Sequence, residues 1–240
     1  MLEMAEVADA SSGRWPDGVW RGESNVTENL VWDGPVPNIS SFVFDMGGVL
    51  MDFDTTLFAD MFTDSERDAR DLERALFRNS AWALLDAGVI SEATMEQIAR
   101  ARLPEKLWPT LHRTFSEWER YQPVLEAMNE QVRRLHAAGY GCYLLSNAGV
   151  RWWKQQERIP AMSCMDGFVV SAFERVMKPD VLIYHTLCER YGLKPSECLF
   201  VDDSEDNCAG AELAGMYSYH YDGRADAFER YVTERLGISY

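Results

Sequence analysis

The stretch Ser41–Leu50, which reads Ser-Phe-Val-Phe-Asp-Met-Gly-Gly-Val-Leu, decides the fold class of this 240-residue chain. Its apolar run ends on Asp45, and Gly47 and Gly48 follow closely, as is typical of a buried strand that meets a turn. A strand that is apolar throughout, rather than alternating, favours a parallel sheet covered on both faces. We therefore predict that this stretch contains the first strand of a parallel sheet.

Helical and strand-like patterns alternate from Pro123 to the C-terminus. The predicted strands after the first are Tyr140–Leu145, Gly167–Val170, Leu199–Asp202 and a last one near 216–221. The predicted helices lie near 123–138, from 149 onward, over 180–191, through Ala209–Ala214 and at the C-terminus. Such alternation predicts an α/β fold, a doubly wound, Rossmann-like parallel sheet with helices on both faces.

Two parts of the chain depart from this alternation. Residues 56–121 carry only the periodicity of amphipathic helices, so we expect an inserted all-α cap domain between the core segments 39–55 and 122–240. Residues 1–38 are rich in Gly, Ser, Asn, Asp and Pro and have no sustained period. We expect them to form an acidic, partly ordered N-terminal extension.

The overall charge limits the classes of partner. The chain has 39 Asp and Glu against 23 Lys and Arg, a formal net charge of −16, which repels a phosphate backbone, so we expect no nucleic-acid partner. No apolar run reaches the roughly 18 residues that a membrane span needs, and no secretory signal pattern opens the sequence. We expect a cytoplasmic protein without a membrane partner, a monomer or weak homodimer.

Polar residues that directly follow apolar strands are the candidates for chemistry, because ligands of open parallel sheets bind beyond the carboxyl ends of the strands. Four groups of residues fit this rule: Asp45, Ser146 with Asn147, Lys178, and Asp202 with Asp203. Together they offer a nucleophilic carboxylate, a hydroxyl and an amide, an ammonium and a second acidic pair.

This set resembles the ordered motifs of the haloacid dehalogenase (HAD) superfamily: an Asp after the first strand, a Ser or Thr after a second, a Lys, and a terminal acidic pair. The matching segments are Phe44–Leu50, Leu144–Asn147, Lys178–Pro179 and Val201–Ser204. The resemblance covers roughly residues 40–240, and the helical insertion falls where the family has its cap. Within that insertion, Leu85–Ser91 is similar to cap segments of small sugar-phosphate phosphatases, phosphoglucomutases and 2-haloacid dehalogenases.

The resemblance implies a Mg²⁺-dependent phosphatase that hydrolyses a small phosphorylated substrate, such as a sugar phosphate. Asp45 would attack phosphorus and form an aspartyl-phosphate, which divides one difficult displacement into two easier ones. The metal would be bound by the Asp45 carboxylate, the Gly47 carbonyl and the Asp202 and Asp203 carboxylates, with Asp203 favoured as the direct ligand.

The remaining motif residues are expected to bind the phosphoryl group. Lys178 would neutralise its charge and orient the nucleophile, and Ser146 would donate a hydrogen bond to it together with amides near Asn147. Gly47 and Gly48 belong to the same phosphate-binding set.

One position departs from the pattern of many family phosphatases, which carry a general acid/base Asp two residues after the nucleophile. Gly47 stands there and cannot transfer a proton. Three interpretations stay open: a phosphatase with a substitute group, for which Asp52 and Asp54 are candidates; a 2-haloacid dehalogenase, which needs neither acid nor metal; and a non-catalytic HAD-fold binding protein. The retained pair Asp202–Asp203 favours a metal and therefore a phosphatase.

Tryptophans are the candidates for contacts with the organic part of a substrate. Trp82, Trp108 and Trp118 have helical spacing, which is compatible with core packing or with stacking on a sugar. Trp152 and Trp153 follow the Ser146 loop closely, and we expect them to line the entrance of the site.

Overall fold

A computed structural model of the protein describes residues 37–240, so the predicted extension 1–38 lies almost entirely outside the described residues. Five strands form one parallel sheet in the order β3-β2-β1-β4-β5. The strands are β1 Ser41–Phe44, β2 Gly141–Ser146, β3 Gly167–Val170, β4 Cys198–Asp202 and β5 Tyr217–His220. The predicted α/β fold with a doubly wound parallel sheet is confirmed.

Eleven α-helices accompany the sheet within the described residues. They are α1 Thr55–Asp60, α2 Glu66–Ala75, α3 Ala81–Asp86, α4 Glu92–Arg100, α5 Trp108–Glu117, α6 Glu126–Ala137, α7 Trp152–Gln155, α8 Ser171–Glu174, α9 Val181–Tyr191, α10 Glu205–Leu213 and α11 Ala225–Arg230. Several single 3₁₀ turns connect them, and a π-helical turn, Tyr231–Arg235, extends α11. No helix among residues 37–240 is long and apolar enough to cross a bilayer.

The central strand β1 is buried along its whole length and contributes to the hydrophobic cores on both faces of the sheet. Phe42 and Phe44 belong to one core, which includes Phe228 of α11, and Val43 belongs to the other, which includes Tyr184 of α9. This division follows the two-residue period of a strand. Burial of each of these large side chains stabilises the fold by about 1.5–3 kcal/mol.

A third hydrophobic core lies within the helical segment 55–121, where α1 to α5 pack on one another. Its helices begin at conventional N-cap residues: Asp54 accepts a hydrogen bond from the Leu57 amide, and Ser65 and Ser91 cap α2 and α4 in the same way. The amphipathic periodicity that predicted helices here therefore reflects burial against neighbouring helices of the same segment.

The two connections between this helical segment and the rest of the chain lie side by side. The Asp52 amide donates to the Pro123 carbonyl at 2.9 Å, and the Leu125 amide donates to the Leu50 carbonyl at 3.0 Å. Met51 and Val124 form an antiparallel bridge between them. The segment therefore leaves and rejoins the sheet-bearing part at one place.

Most predicted elements appear close to their expected positions, and β3 has the predicted bounds. The helix predicted from 149 is the clearest difference. Only Trp152–Gln155 is α-helical there, followed by a single 3₁₀ turn, Gln156–Arg158. The Trp152 ring packs on Phe168 of β3, with 4.2 Å between the ring centroids, a contact with the sheet that helical periodicity does not predict.

Candidate active site

Three strand ends meet at one edge of the sheet. In the register of the sheet, Phe44 of β1 lies opposite Leu144 of β2 and Val201 of β4, so the residues that follow reach the same level. The Asp45 amide extends this pairing by donating to the Val201 carbonyl at 2.9 Å. Because the chain proceeds from β1 toward β2 on one side and reaches β4 on the other, this edge is the switch point where such sheets bind ligands.

Lys178 is the buried cation of this edge. It precedes α9, is 2 % exposed, and places its Nζ 2.7 Å from Asp45 Oδ1 and 2.6 Å from Asp202 Oδ2. The same ammonium donates to the Leu145 carbonyl at 3.0 Å. An ammonium with three such partners has a fixed position and direction.

Asn147 fixes the backbone of this lysine. Its Nδ2 donates to the Lys178 carbonyl at 2.9 Å, and its Oδ1 accepts from the Lys178 amide at 2.8 Å. The loop after β2 and the loop before α9 are therefore joined by two side-chain hydrogen bonds. The Asn147 side chain therefore holds the backbone of Lys178 in place.

The charges of the cluster perturb one another strongly. Burial raises the pKa of Asp45 to about 7, and Asp202 adds to this effect, while Lys178 opposes it. Burial also disfavours the charge of Lys178, but Asp45 and Asp202 outweigh burial and raise the pKa of the ammonium. One ammonium beside several carboxylates leaves an excess of negative charge. This excess would favour the binding of a cation.

The described residues contain a carboxylate group suited to a divalent cation. One oxygen each from Asp45, Asp202 and Asp203 lie within 4.8 Å of one another, and Mg²⁺ prefers oxygen ligands of this kind. Asp202 is fully buried, and its oxygens already accept from Lys178, the Ser204 amide and the side chain of Asn207. Asp203 is exposed at the cavity and has no such set of partners.

Gly48 makes room for the Asp203 carboxylate. Its φ of +72° is in the left-handed region, and a Cβ at this position would overlap Asp203 Oδ2 and Cγ. The glycine is therefore required both by the turn and by the nearness of the carboxylate. Gly47 differs, since a Cβ there would meet only the Phe53 Cβ, at 3.9 Å.

A cavity of about 350 Å³ opens over this cluster and is bounded by the helical segment and by loops of the sheet edge. Part of its wall is apolar: Phe53, Trp82, Leu85, Phe115 and Trp118. The polar residues that line it beyond the motifs are Asp52, Asp86, Glu92, Gln122, Arg151 and Gln155. A cavity of this size accommodates a small organic molecule.

Arg151 joins the two sides of this cavity. It lies between Gly149 and α7, and its guanidinium is 2.9 Å from Glu92 and 3.3 Å from Glu119, both in the helical segment. It also donates to the Ser116 carbonyl at 3.1 Å. Since its charge is matched by two carboxylates, Arg151 is not a free cation for a second anionic group of a ligand.

The other residues predicted from the sequence differ in their position relative to the cavity. Ser146 is 1 % exposed at the end of β2. Asp52 lines the cavity, whereas Asp54 caps α1 and does not line it. Trp152 is fully buried and Trp153 is 52 % exposed, and neither lines the cavity, so the expectation that they form its entrance is wrong. Their indoles pack instead on β3 and α8.

Sequence reasoning missed several cavity residues and left others undecided. Trp82 and Trp118 serve both as core and as cavity wall, while Trp108 packs on Arg100 away from the cavity. Asp86 and Arg151 were not selected. The available signal for Asp86 was its place in the segment Leu85–Ser91, which already resembled family caps.

Comparison with known proteins agrees with this fold. The family model of the haloacid dehalogenase-like hydrolases matches residues 39–215. The chain belongs to this family of hydrolases, as its motifs predicted.

Two similar curated proteins are phosphatases by name. The sesquiterpene phosphatase astK of Aspergillus oryzae is 25% identical over 181 residues, which are 74% of this chain and 87% of the relative. The phosphatase MT3486 of Mycobacterium tuberculosis is 28% identical over 201 residues, 77% of this chain and 88% of the relative.

Solved structures share the fold at low sequence identity. A HAD family enzyme of Bacteroides thetaiotaomicron, in complex with magnesium and inorganic phosphate, superposes with a TM-score of 0.62 at 20% identity, over 77% of this chain and 95% of that one. An L-2-haloacid dehalogenase of Xanthobacter autotrophicus superposes with a TM-score of 0.58 at 17% identity, over 82% and 83%.

Proposed function

We propose that this protein is a Mg²⁺-dependent phosphatase that hydrolyses a small phosphate monoester through an aspartyl-phosphate on Asp45. The observation that carries the proposal is the cluster of Asp45, Lys178, Asp202 and Asp203, with one ammonium held at 2.7 and 2.6 Å between two carboxylates and a third carboxylate at the cavity. The phosphatase names of two relatives support it.

The metal fits the residues present, since three carboxylates and the Gly47 carbonyl offer hard oxygen ligands. We propose Asp45 and Asp203 as direct carboxylate ligands, because the oxygens of Asp202 are already used by its neighbours. Bound Mg²⁺ supplies the positive charge that lets an anionic nucleophile meet an anionic phosphate. Asp202 then serves mainly to hold Lys178.

The residues of the chain divide the remaining work. The Lys178 ammonium lies 2.7 Å from Asp45 Oδ1, and Asp45 lines the cavity, where its other oxygen would attack phosphorus in line with the leaving oxygen. Ser146 and the amides of the loop after β2 donate hydrogen bonds to the phosphoryl oxygens. The helical segment acts as a cap that limits water around the aspartyl-phosphate.

The charges of the cavity wall favour a phosphate monoester whose alcohol part is uncharged. Arg151 lines the cavity but is neutralised by Glu92 and Glu119, so it offers no partner for a second anionic group on the substrate. The aromatic wall formed by Trp82 and Trp118 offers a face for a sugar ring, the substrate class that the sequence suggested.

A second candidate substrate is the monophosphate of an apolar alcohol. The wall of Phe53, Leu85 and Phe115 favours a hydrocarbon chain, and one relative is named a sesquiterpene phosphatase. The same cavity and the same reaction serve either substrate, and a panel containing both decides between them.

The expected location and partners belong to the same proposal. We propose a cytoplasmic monomer or weak homodimer that binds neither nucleic acid nor membrane. The net charge of −16 supports this, since it repels both phosphate backbones and anionic lipid surfaces.

The first prediction concerns the nucleophile. The native protein should release phosphate from a panel of sugar phosphates, acyl phosphates and isoprenyl monophosphates only with Mg²⁺, and Asp45→Asn should lower the rate by at least about 10³-fold because the nucleophile is lost. Phosphate release is measured with and without a chelator. Asp54→Asn is the matched control, since Asn also caps helices and Asp54 lies outside the cavity.

Two results would contradict this function. Halide release from 2-haloacids that persists under chelation would identify a dehalogenase. Absence of turnover across the whole panel, with Mg²⁺ still bound, would favour the non-catalytic binding protein.

A further inference from the structure

The site lacks a proton donor at the position where many relatives carry one. Gly47 has no side chain, so the leaving oxygen of an unactivated ester needs another acid. Three carboxyl groups line the cavity apart from the metal cluster: Asp52, Asp86 and Glu92. Their surroundings differ enough to distinguish them.

Glu92 and Asp52 are poorly suited to the task. Glu92 forms an ion pair with Arg151 at 2.9 Å, so its carboxylate is already engaged by that guanidinium. Asp52 has no side-chain hydrogen bond or ion pair with any residue in the range 37–240, so its carboxyl lacks a fixed direction. A proton-transfer group needs both a proton to give and a defined orientation.

Asp86 satisfies both requirements. It is the last residue of α3, and the backbone N–H of Gly149 and the indole of Trp82 contact its carboxyl. Its own carbonyl accepts from Ser171 Oγ at 2.5 Å, just after β3. Asp86 is thereby fastened to the sheet edge, beside the loop that carries Ser146.

The turn after α3 is pressed against the same edge. Gly88 has a φ of +67°, and a Cβ there would overlap the Ala172 carbonyl of α8. This close approach fixes the end of α3 on the core, although α3 belongs to the helical segment.

We propose that Asp86 is the general acid and base of this active site and replaces the carboxyl group absent at Gly47. The inference rests on the proposed phosphatase function and assigns to it a catalytic residue outside the motifs. Burial raises the pKa of Asp86 to about 8, although its contacts with Gly149 and Trp82 oppose this. The carboxyl therefore carries its proton at neutral pH, as a general acid must.

The charged groups that share the cavity with Asp86 do not pair with it. They are Asp45, Asp52, Glu92, Arg151 and Asp203. Arg151 is occupied by Glu92 and Glu119, and no cation contacts Asp86 among residues 37–240. Burial keeps this carboxyl protonated, and no counter-charge within the described residues opposes that effect.

The chemistry balances with Asp86 in this role. In the first step an Asp45 oxygen bonds to phosphorus, the bond to the leaving oxygen breaks, and that oxygen takes the electron pair and the Asp86 proton. In the second step ionised Asp86 accepts a proton from water, the water oxygen bonds to phosphorus, and the electron pair of the aspartyl-phosphate bond returns to Asp45. Alcohol and inorganic phosphate leave, and both residues recover their starting states.

The test compares leaving groups that need a proton with leaving groups that do not. In single-turnover experiments with Mg²⁺, Asp86→Asn should slow phosphoryl transfer from an alkyl phosphate by about 10²–10⁴-fold, while dinitrophenyl phosphate changes by less than about threefold. The aspartyl-phosphate should also persist longer in this variant, because the base for the second step is lost. Asp52→Asn and Glu92→Gln are the matched controls and should not show this split.

The pH profile and a rescue variant provide independent readouts. Wild-type turnover of the alkyl phosphate should fall above a pH of about 8 as Asp86 ionises, and this alkaline limb should be absent in Asp86→Asn. Gly47→Asp in the Asp86→Asn background should restore alkyl-phosphate turnover, since position 47 has room for a side chain. A purely structural defect at Asp86 would not be rescued in this way.

Three outcomes would overturn the inference. Equal loss for both leaving groups would mean that Asp86 only supports the fold, and a leaving-group split in Asp52→Asn instead would assign the role to Asp52. No turnover of either ester by the wild type would overturn the proposed phosphatase function itself, and with it the role of Asp86.

Discussion

Gly48 shows how a single residue without a side chain shapes the candidate metal site. Its backbone conformation and the nearby Asp203 carboxylate both exclude a Cβ, so a larger residue must displace the carboxylate or the turn. Displacing a metal ligand, or a residue that orients it, typically lowers the metal affinity by about 10–100-fold.

We therefore predict that Gly48→Ala weakens Mg²⁺ binding by about tenfold or more, as measured by calorimetry or by the Mg²⁺ dependence of turnover. Gly192→Ala is the matched control, because Gly192 has a similar φ of +67° at the end of α9, but a Cβ added there would meet nothing within 4 Å. Equal Mg²⁺ affinities in the two variants would show that contact with Asp203 is unimportant.

Asp86 gives a second prediction at this scale, concerning stability. A carboxyl whose folded-state pKa is raised from 3.8 to about 8 binds its proton more tightly in the folded than in the unfolded chain. Its contribution to stability is therefore fully present below pH 4 and is lost as pH rises toward 8. Asn cannot ionise, so Asp86→Asn does not lose stability in this way. The free energy of unfolding of the variant, relative to that of wild type, should therefore increase from pH 4 to pH 8.

At pH 8 the free energy of unfolding of Asp86→Asn should exceed that of wild type by about 1–3 kcal/mol. This is less than the whole pKa shift would give, because solvent screens a partly exposed carboxyl. Urea denaturation of both proteins at pH 5 and pH 8 measures it. Asp54→Asn controls for the change in net charge. A variant that is less stable than wild type at pH 8 would show that the ionised carboxyl is stabilised by its contacts.

At the scale of elements, the loop between β2 and α7 connects the sheet edge to the helical segment. Arg151 and Glu119 are 11 % and 3 % exposed at their side chains, so their ion pair is largely removed from water. Arg158 donates to the Glu119 backbone carbonyl, and Lys154, at 3.7 Å, is the other cation within residues 37–240 that pairs with the Glu119 carboxylate. Removing Arg151 leaves a buried carboxylate with only this weaker partner.

Arg151→Met should therefore lower the free energy of unfolding by about 2–4 kcal/mol. Arg70→Met is the control, because its pair with Glu66 is exposed and should contribute less than about 1 kcal/mol. Glu119→Gln combined with Arg151→Met should cost less than the sum of the single changes. Additive effects in that cycle would mean that the two residues do not interact.

The elements were largely predictable because their signals are local. Apolar runs such as Phe42–Phe44 and Leu199–Val201 predicted buried strands, and the polar residue at the end of each run identified Asp45 and Asp202. The helix expected from 149 spans only Trp152–Gln155, where Trp152 packs on Phe168, a contact that no local period encodes.

The whole cavity was less predictable than the motifs, for the same reason. Asp86, Arg151 and Gln122 come from different parts of the chain, and they become neighbours only when the helical segment packs over the sheet edge. Nothing in the spacing of a sequence states which face of an amphipathic helix will meet that edge. The motifs predicted which residues form the reacting end of the site, and the three-dimensional structure was needed for the opposite wall of the cavity.

The paired connections at Asp52–Pro123 and Leu50–Leu125 have a consequence for how such a molecule can change. Since the chain exits and returns at adjacent points, the segment between them can be lengthened, shortened or exchanged without altering the strand order that positions Asp45. Under the proposed function, substrate selectivity and reaction chemistry then lie on separable stretches of one polypeptide. If Asp86 is the proton donor, however, such an exchange would also remove part of the chemistry, which would bind this particular insertion to this particular active site.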